Sequence, residues 1–278
     1  MPSYARFVAL GDSFTEGLHD ELGPDGRHLG WADRVAEALA RDGAARAADA
    51  GDGDGPALQY ANLAVRGRLL DEVVEEQVPL ALDLQPDLVS FHGGGNDVLR
   101  PKVAIEDLVR RYEHAVHRLR ATGAEVVLFT VLERTGGTGR LADALARRFA
   151  IFNAGVRRTA RRTGARLADV GSQPALQDRR MWHEDRLHLD AEGHRRVAAA
   201  VLEALEVGSD ELRGGPVGWW REPLPGGVPV SRRETLAGDV RWVRRHLLPW
   251  VGRRVRGVSS GDTVACKRPA LMELRPEA

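Results

Sequence analysis

Apolar and polar positions follow two alternating patterns up to about residue 207 of the chain. Short apolar runs, rich in β-branched residues, are each followed by a longer stretch in which apolar positions recur at three- and four-residue steps. The short runs predict five β-strands, over residues 6–10, 60–65, 88–92, 125–131 and 166–170. Strands that alternate with helices predict an α/β fold, in which a parallel sheet is wrapped by helices.

The longer stretches predict the helices that wrap this sheet. They cover residues 31–41, 69–82, 105–121, 141–162 and 193–205. Three of them end in a pair typical of helix termination, namely Asp42-Gly43, Thr122-Gly123 and Thr163-Gly164.

After residue 207 the alternation stops, and glycine, proline and tryptophan become frequent. This change indicates a boundary near residues 208–215, between a main domain at 1–207 and a C-terminal extension at 208–278. Residues 211–270 carry 12 basic and 5 acidic side chains, although the whole chain has 40 of each. An apolar stripe predicts a helix in the extension, formed by Leu236, Val240, Val243, Leu247 and Val251.

Two interpretations of this basic helix stay open. In the first, the helix docks on the main domain and its arginines face solvent. In the second, its basic face is a docking surface for an acidic partner or a membrane. Pro249 is expected to end or kink the helix in either case.

The overall composition limits the classes of partner. A neutral chain has no overall field for nucleic acid, so we expect none as a partner. The single cysteine, Cys266, cannot form an intramolecular disulfide. No run approaches the roughly 18 apolar residues of a membrane span, and the N-terminus lacks the pattern of a signal peptide. We therefore expect a cytoplasmic protein without a transmembrane segment.

Three chain-distant segments offer polar groups or unobstructed backbone just after a predicted strand. Ser13 lies in GDSFTEG after the first strand, Gly67 follows the second, and GGGND at residues 93–97 follows the third. Ligands of open parallel sheets bind at the carboxyl ends of the strands, so we expect these segments to converge on one edge. A serine hydroxyl there becomes a nucleophile only when a base takes its proton and a third group orients that base.

His188 is the histidine best placed to be this base. Among the nine histidines it alone lies in a loop just before the last helix of the main domain with an aspartate, Asp185, three residues upstream. That spacing lets a carboxylate and an imidazole meet in one turn. Acyl transfer also needs donors for the oxyanion, and the Ser13 N–H, the Gly67 N–H and the Asn96 amide are the three candidates.

The four segments together resemble the SGNH hydrolases, also called the GDSL esterase/lipase family. The matches are GDS at 11–13, glycine at 67, GGND at 94–97 and DRLH at 185–188 followed by LDAEGH, in the family's order over about residues 5–205. The resemblance implies a flavodoxin-like, three-layer α/β/α sandwich and metal-independent hydrolysis of esters without a cofactor. It also implies that Ser13 is the nucleophile, His188 the general base and Asp185 its orienter, with Ser13, Gly67 and Asn96 as the oxyanion hole.

The expected substrate is a small, soluble acyl ester. Lysophospholipids, thioesters and O-acetylated carbohydrates are the alternatives within the same family, and a non-catalytic binding module is the alternative outside it. The sequence departs from the family pattern at two positions. Phe14 stands where leucine is usual and keeps an apolar anchor, whereas Arg66 stands where a small residue is common and is expected to crowd or charge the site.

Other interpretations of the same residues are weaker. Ser13 with Glu16 also fits a capping box at a helix start, and His188 with Asp185 also fits a buried structural pair. A metal cluster of His183, Asp185, His188 and Asp190 matches no familiar ligand spacing. The segment GVSSG at 257–261 fits the serine motif of α/β-hydrolases, but no histidine follows it. The first turn also lacks the G-x-G-x-x-G spacing of a dinucleotide site.

Overall fold

The computed structural model describes residues 4–51, 57–133, 139–226, 238–249, 252 and 260–275. Within those residues six strands form one sheet in the order β5-β4-β3-β1-β2-β6. The strands are β1 (Arg6–Leu10), β2 (Leu58–Asn62), β3 (Leu88–Phe91), β4 (Glu125–Phe129), β5 (Arg166–Ala168) and β6 (Arg268–Leu274). Strands β1 to β5 pair in parallel, and β6 pairs antiparallel with β2.

Ten α-helices lie among the described residues between 13 and 213. They are α1 (Ser13–Glu16), α2 (Trp31–Ala50), α3 (Leu70–Glu72), α4 (Val78–Asp83), α5 (Gly95–Val98), α6 (Ile105–Arg120), α7 (Arg140–Thr163), α8 (Pro174–Gln177), α9 (Ala191–Ala204) and α10 (Asp210–Arg213). A π turn at Val73–Gln77 joins α3 to α4. Pro79 has no N–H for a normal helical hydrogen bond, which accounts for the irregular turn just before it.

The central strands of the sheet are buried on both faces. Along β1, Phe7 and Ala9 belong to a core shared with α2 and α9, whereas Val8 and Leu10 belong to a second core shared with α6 and α7. Alternate residues of a strand point to opposite faces, so one strand contributes to both cores. The predicted three-layer α/β/α architecture is confirmed.

The prediction of five strands is one short, because the C-terminal extension supplies the sixth. Strand β6 covers the free edge of β2, and only about half of its residues are shielded. Pro269 lies within it, which is tolerated because an edge strand need not donate every N–H to a ladder. Neither the spacing nor the composition of this segment resembled the buried strands of the main domain.

The stop signal at Asp42-Gly43 is also wrong, because α2 continues to Ala50 and ends at Gly51 in a left-handed conformation. The alanine-rich stretch after Gly43 favours helix strongly enough to outweigh one glycine. The signal at Thr163-Gly164 is correct, since Gly164 adopts the left-handed cap with φ of 69°.

The C-terminal extension contacts the main domain at separate points. Trp220, in a 3₁₀ turn at Trp219–Arg221, is buried in the core beside α9. Residues 238–249 are helical, with a π turn at Val243–Leu247. Of the predicted apolar stripe, Val240 is 46% exposed, and Leu236 and Val251 lie outside the described residues. No helix in the described ranges is long and apolar enough to cross a membrane.

Candidate active site

A cavity of about 100 Å³ at the edge of the sheet brings three of the predicted residues together. Ser13 reaches it from the turn after β1, Asn96 from α5 after β3, and His188 from the loop before α9. Most of the other lining residues are apolar, among them Phe14, Leu18, Leu99, Val131, Phe149 and Trp182. Of the three segments expected to converge at the carboxyl ends of the strands, those of Ser13 and GGGND therefore meet at the cavity, and His188 joins them from a later loop.

The turn that carries Ser13 depends on its two preceding residues. Gly11 has φ of +152°, and a Cβ there would lie 2.6 Å from the Thr15 hydroxyl oxygen, so no larger residue fits. Asp12 caps α1, because its Oδ1 accepts the Phe14 N–H at 3.1 Å. The capping box proposed for Ser13 is wrong, since Asp12 is the cap and Ser13 is the first residue of the helix.

Asp185 and His188 form a hydrogen-bonded pair within one turn. The His188 Nδ1 lies 2.6 Å from Asp185 Oδ2, and Asp185 Oδ1 accepts the N–H groups of Leu187 at 2.9 Å and His188 at 3.1 Å. The turn closes through the His183 N–H, which donates to the His188 carbonyl at 2.9 Å. Because Nδ1 faces the carboxylate, Nε2 is the nitrogen of His188 left to act as a base.

Two further imidazoles stand beside the same carboxylate. His19 Nε2 lies 3.3 Å and His183 Nδ1 3.7 Å from Asp185 Oδ2. Burial alone would raise the pKa of Asp185, but the hydrogen bonds from His188 and His19 hold it far below its usual value. Asp185 is therefore ionised throughout the working pH range of proteins. Burial and the neighbouring His19 lower the pKa of His183.

His19, His183 and Asp185 have ligand atoms within 4.8 Å of one another, a spacing that would suit a metal ion. The two imidazole rings, however, stack 3.7 Å apart with an interplanar angle of 2°. One ion cannot lie in both ring planes, so the rings would have to rotate before chelating it. Asp190, considered from its sequence position as a ligand with His183, Asp185 and His188, instead caps α9 by accepting the Gly193 N–H at 3.0 Å.

Asn96 and Gly67 differ in their relation to the cavity. Asn96 lines it, and its amide Nδ2 donates to Asp12 Oδ2 at 3.1 Å and to the Arg68 carbonyl at 3.0 Å. Both N–H groups of the amide therefore have acceptors already. Gly67 does not line the cavity. It immediately precedes Arg68, however, whose carbonyl oxygen accepts a hydrogen bond from the Asn96 amide, so the Gly67 turn lies next to Asn96.

The two departures from the family pattern have simple structural roles. Arg66 does not line the cavity, because its guanidinium pairs with the Glu16 carboxylate, which also accepts the Arg66 N–H at 2.7 Å. The expectation that Arg66 crowds the site is therefore wrong. Phe14 keeps its apolar contacts, with its ring 4.4 Å from His92 and 5.7 Å from Trp31.

Two buried groups near the site are structural. Asp97 accepts the Leu70 N–H at 2.9 Å, as expected for a loop partner, and burial raises its pKa to about 6. His194 lines the cavity with its ring fixed between the Trp31 N–H and the Leu18 carbonyl. Burial lowers the pKa of His194 to about 4, so its ring is neutral at pH 7.

Sequence reasoning missed Asp12 and His19 as neighbours of the site. Asp12 stands inside the GDS motif, where its place before Ser13 could have suggested a cap. No local pattern marks His19, because its partner Asp185 is distant along the chain. The contact between His19 and Asp185 forms because the segment after α1 packs against the loop before α9.

Comparisons with known proteins agree with this geometry. The model of the GDSL-like lipase/acylhydrolase family matches residues 9–196, which is more than half of the chain. Among curated proteins none matches the chain.

The fold is shared with many solved structures, among them TesA, Axe2 and EstA. TesA is 21% identical with a TM-score of 0.54, over 72% of this chain and 98% of its own. The acetylxylan esterase Axe2 from Geobacillus stearothermophilus is 20% identical with a TM-score of 0.56, and the match covers 75% of this chain and 98% of Axe2. The psychrotrophic esterase EstA from Pseudoalteromonas sp. is 16% identical with a TM-score of 0.51, and the match covers 72% of this chain and 96% of EstA. By its family match, this chain belongs to the GDSL-like lipase/acylhydrolase family and is a hydrolase.

Proposed function

We propose that the protein is a serine esterase that hydrolyses short acyl esters through an acyl-enzyme. The observation that carries the proposal is that His188, whose Nδ1 lies 2.6 Å from Asp185 Oδ2, lines the same cavity as Ser13. A nucleophile, a base and an orienter are the groups that acyl transfer requires.

The first half of the reaction forms the acyl-enzyme. The Ser13 hydroxyl oxygen attacks the ester carbonyl carbon while His188 Nε2 takes the hydroxyl proton. Asp185 remains ionised and balances the positive charge that the imidazole acquires. When the tetrahedral intermediate collapses, the carbon–oxygen bond to the alcohol breaks and the alcohol leaves with the proton from His188. In the second half, water attacks the acyl-enzyme by the same route, and the acid is released from Ser13.

The oxyanion of each intermediate needs donors in the cavity. The Ser13 N–H is suited to this role, because the first N–H groups of a helix have no acceptor within the helix. Gly67 N–H is proposed as the second donor, and since Gly67 does not line the cavity, its turn would have to approach the oxyanion when substrate binds. Asn96 is proposed as the third, and it would release Asp12 or the Arg68 carbonyl to turn one N–H toward the oxyanion.

The size and lining of the cavity support a short acyl group. A volume of about 100 Å³ with a mostly apolar wall suits a few carbon atoms better than a long chain. An acetyl or butyryl ester of a small alcohol is therefore the proposed substrate class. The fold neighbour Axe2, an acetylxylan esterase, gives one example of an acetyl ester in this fold.

The test is hydrolysis of p-nitrophenyl esters of increasing acyl length, from acetate to octanoate. We expect kcat/KM to be highest for the shortest esters and Ser13→Ala to lower kcat by at least about 10³-fold. Ser172→Ala is the matched control, because Ser172 is exposed and its hydroxyl lies beside Arg157 instead. Equal rates in Ser13→Ala and the control would rule out this nucleophile, and no hydrolysis of any ester by the folded protein would favour a binding module.

A further inference from the structure

The helical segment 238–249 lies against the loop that presents Asp185. The Trp242 indole N–H donates to the Asp185 carbonyl at 2.7 Å. Arg186, the next residue of the loop, pairs with Asp239 at 2.7 Å, and its guanidinium carbon lies 5.1 Å from the centre of the Trp242 ring. Three contacts thus join two neighbouring loop residues to two residues of one helix.

The loop that carries Asp185 and Arg186 has a strained backbone conformation, which the contacts from Trp242 and Asp239 help to maintain. Arg186 has φ of 57°, in the left-handed region that residues with a Cβ avoid. This turn of the backbone lets the Asp185 carboxylate fold back onto the N–H of His188 and onto its ring. Relaxation of Arg186 would rotate the peptide that follows Asp185 and move the carboxylate away from His188. The Trp242 N–H binds the oxygen of that peptide.

The extension also contacts a second loop, the one that carries Gly67. A Cβ on Gly261 would lie 2.0 Å from the Arg66 carbonyl oxygen, so the two backbones touch. Arg66 immediately precedes Gly67, one of the proposed oxyanion donors. Two segments of the extension therefore contact loops that carry proposed site residues.

We propose that Trp242 is a positioning residue for ester hydrolysis, which holds the Asp185 peptide through its indole N–H so that the carboxylate stays on His188. The inference rests on the proposed function of Asp185 and His188. Trp242 lies beyond residues 9–196, to which the family model applies. The contact of Trp242 with Asp185 therefore comes from outside the part of the chain that the family shares. Through it the C-terminal extension would contribute to catalysis.

The test compares two tryptophan variants of the full chain. Trp242→Phe keeps a ring beside Arg186 but removes the N–H. Trp219→Phe is the matched control, because the Trp219 indole N–H also donates to a backbone carbonyl, that of Arg213 at 2.8 Å, and an arginine also lies over its ring. The control bond is remote from the Asp185 loop, so it reports the general cost of removing an indole N–H from the extension.

Two readouts separate positioning from stability. With p-nitrophenyl acetate we expect Trp242→Phe to lower kcat by roughly tenfold with little change in KM. In proton NMR we expect the downfield signal of the His188 Nδ1 proton to broaden or move in Trp242→Phe only, with Asp185→Asn identifying the signal. Trp219→Phe is expected to match the wild type in both. If Trp242→Phe does not fold, Asp239→Asn removes the charge partner of Arg186 and should change both readouts in the same direction.

The outcomes distinguish this inference from the proposed function. Wild-type-like kcat and an unchanged proton signal in Trp242→Phe would overturn the positioning role and leave the esterase function in place. Equal losses in the two tryptophan variants would overturn it as well. If the wild type hydrolyses no ester, the proposed function fails, and the NMR signal alone decides whether Trp242 positions the pair.

Discussion

Asp185 divides its two carboxylate oxygens between different partners. Oδ1 accepts two backbone N–H groups of its own turn, and Oδ2 faces the rings of His188 and His19. An asparagine could reproduce the contacts of one oxygen but would place an NH₂ group where the other oxygen accepts. The role of Asp185 as orienter therefore depends on both oxygens being acceptors.

Asp185→Asn is expected to lower kcat by about 10³- to 10⁴-fold, because the amide cannot fix the same His188 tautomer or balance its charge. Asp190→Asn is the matched control in the same loop region. Asparagine caps helices as well as aspartate does, so the control should keep nearly full activity. Steady-state kinetics with p-nitrophenyl acetate measures both. A loss below tenfold in Asp185→Asn would exclude Asp185 as the orienter.

His194 links the site to the pH dependence of stability. Burial lowers its pKa to about 4, whereas the unfolded chain protonates this ring near the usual 6.5. Between these values the unfolded state binds more protons, so the stabilisation present above pH 6.5 declines until pH 4. The decline amounts to about 3 kcal/mol in the free energy of unfolding.

Urea unfolding of the wild type and His194→Gln at several pH values between 7 and 4 measures this contribution. We expect the variant to be less stable at pH 7 and to show a shallower loss on acidification. His117→Gln is the control, because the His117 side chain is largely exposed. Parallel pH curves for the wild type and His194→Gln would show that His194 does not cause the decline.

At the scale of elements, the local pattern of apolar residues predicted the parallel strands of the main domain. It did not predict β6, the antiparallel strand that the C-terminal extension adds to the sheet. The central strands β1, β3 and β4 are mostly apolar and buried, which is the pattern that burial on both faces requires. Strand β6 covers an edge and is half exposed, so its composition carries no such pattern. The site divides in the same way. Motifs identified Ser13, Asn96 and the Asp185–His188 turn, whereas His19 and Trp242 act through tertiary contacts that no local spacing reveals.

Strand β6 is attached to the main domain by a buried ion pair. Lys267 Nζ lies 2.5 Å from Asp33 Oδ2 in α2, and Arg268 Nε lies 3.2 Å from Oδ1. Burial raises the pKa of Asp33 despite these two cations. The negative charge of Asp33 therefore depends on its partners from the extension.

Lys267→Met is expected to destabilise the fold by about 3 kcal/mol, the lower end for a broken buried pair because Arg268 remains. The double variant Asp33→Asn with Lys267→Met should cost less than the two single variants together, since it removes both charges of the Lys267–Asp33 pair and leaves only the partly exposed Arg268 without this carboxylate. Urea unfolding of the four proteins gives the coupling energy. Strictly additive effects would show that the two side chains do not interact.

Across the whole molecule, the charge asymmetry of the sequence has a partial internal explanation. Basic residues of the extension pair with carboxylates of the main domain, as Arg221 does with Glu203 and Lys267 with Asp33. Trp220 enters the core, and Trp242 reaches the Asp185 loop. These contacts favour an extension that is docked on the main domain. A neutral total charge could not predict them, because it concealed two opposite and complementary parts.

Labelling with a fluorophosphonate tests the proposed nucleophile most directly, because it requires an activated serine but no knowledge of the substrate. Intact mass and peptide mapping would follow the wild type, Ser13→Ala and His188→Ala. We expect one adduct on Ser13 of the wild type, none in Ser13→Ala, and labelling slowed by at least about 10²-fold in His188→Ala. An adduct on another serine, or a folded wild type that stays unlabelled, would contradict catalysis by Ser13 and His188.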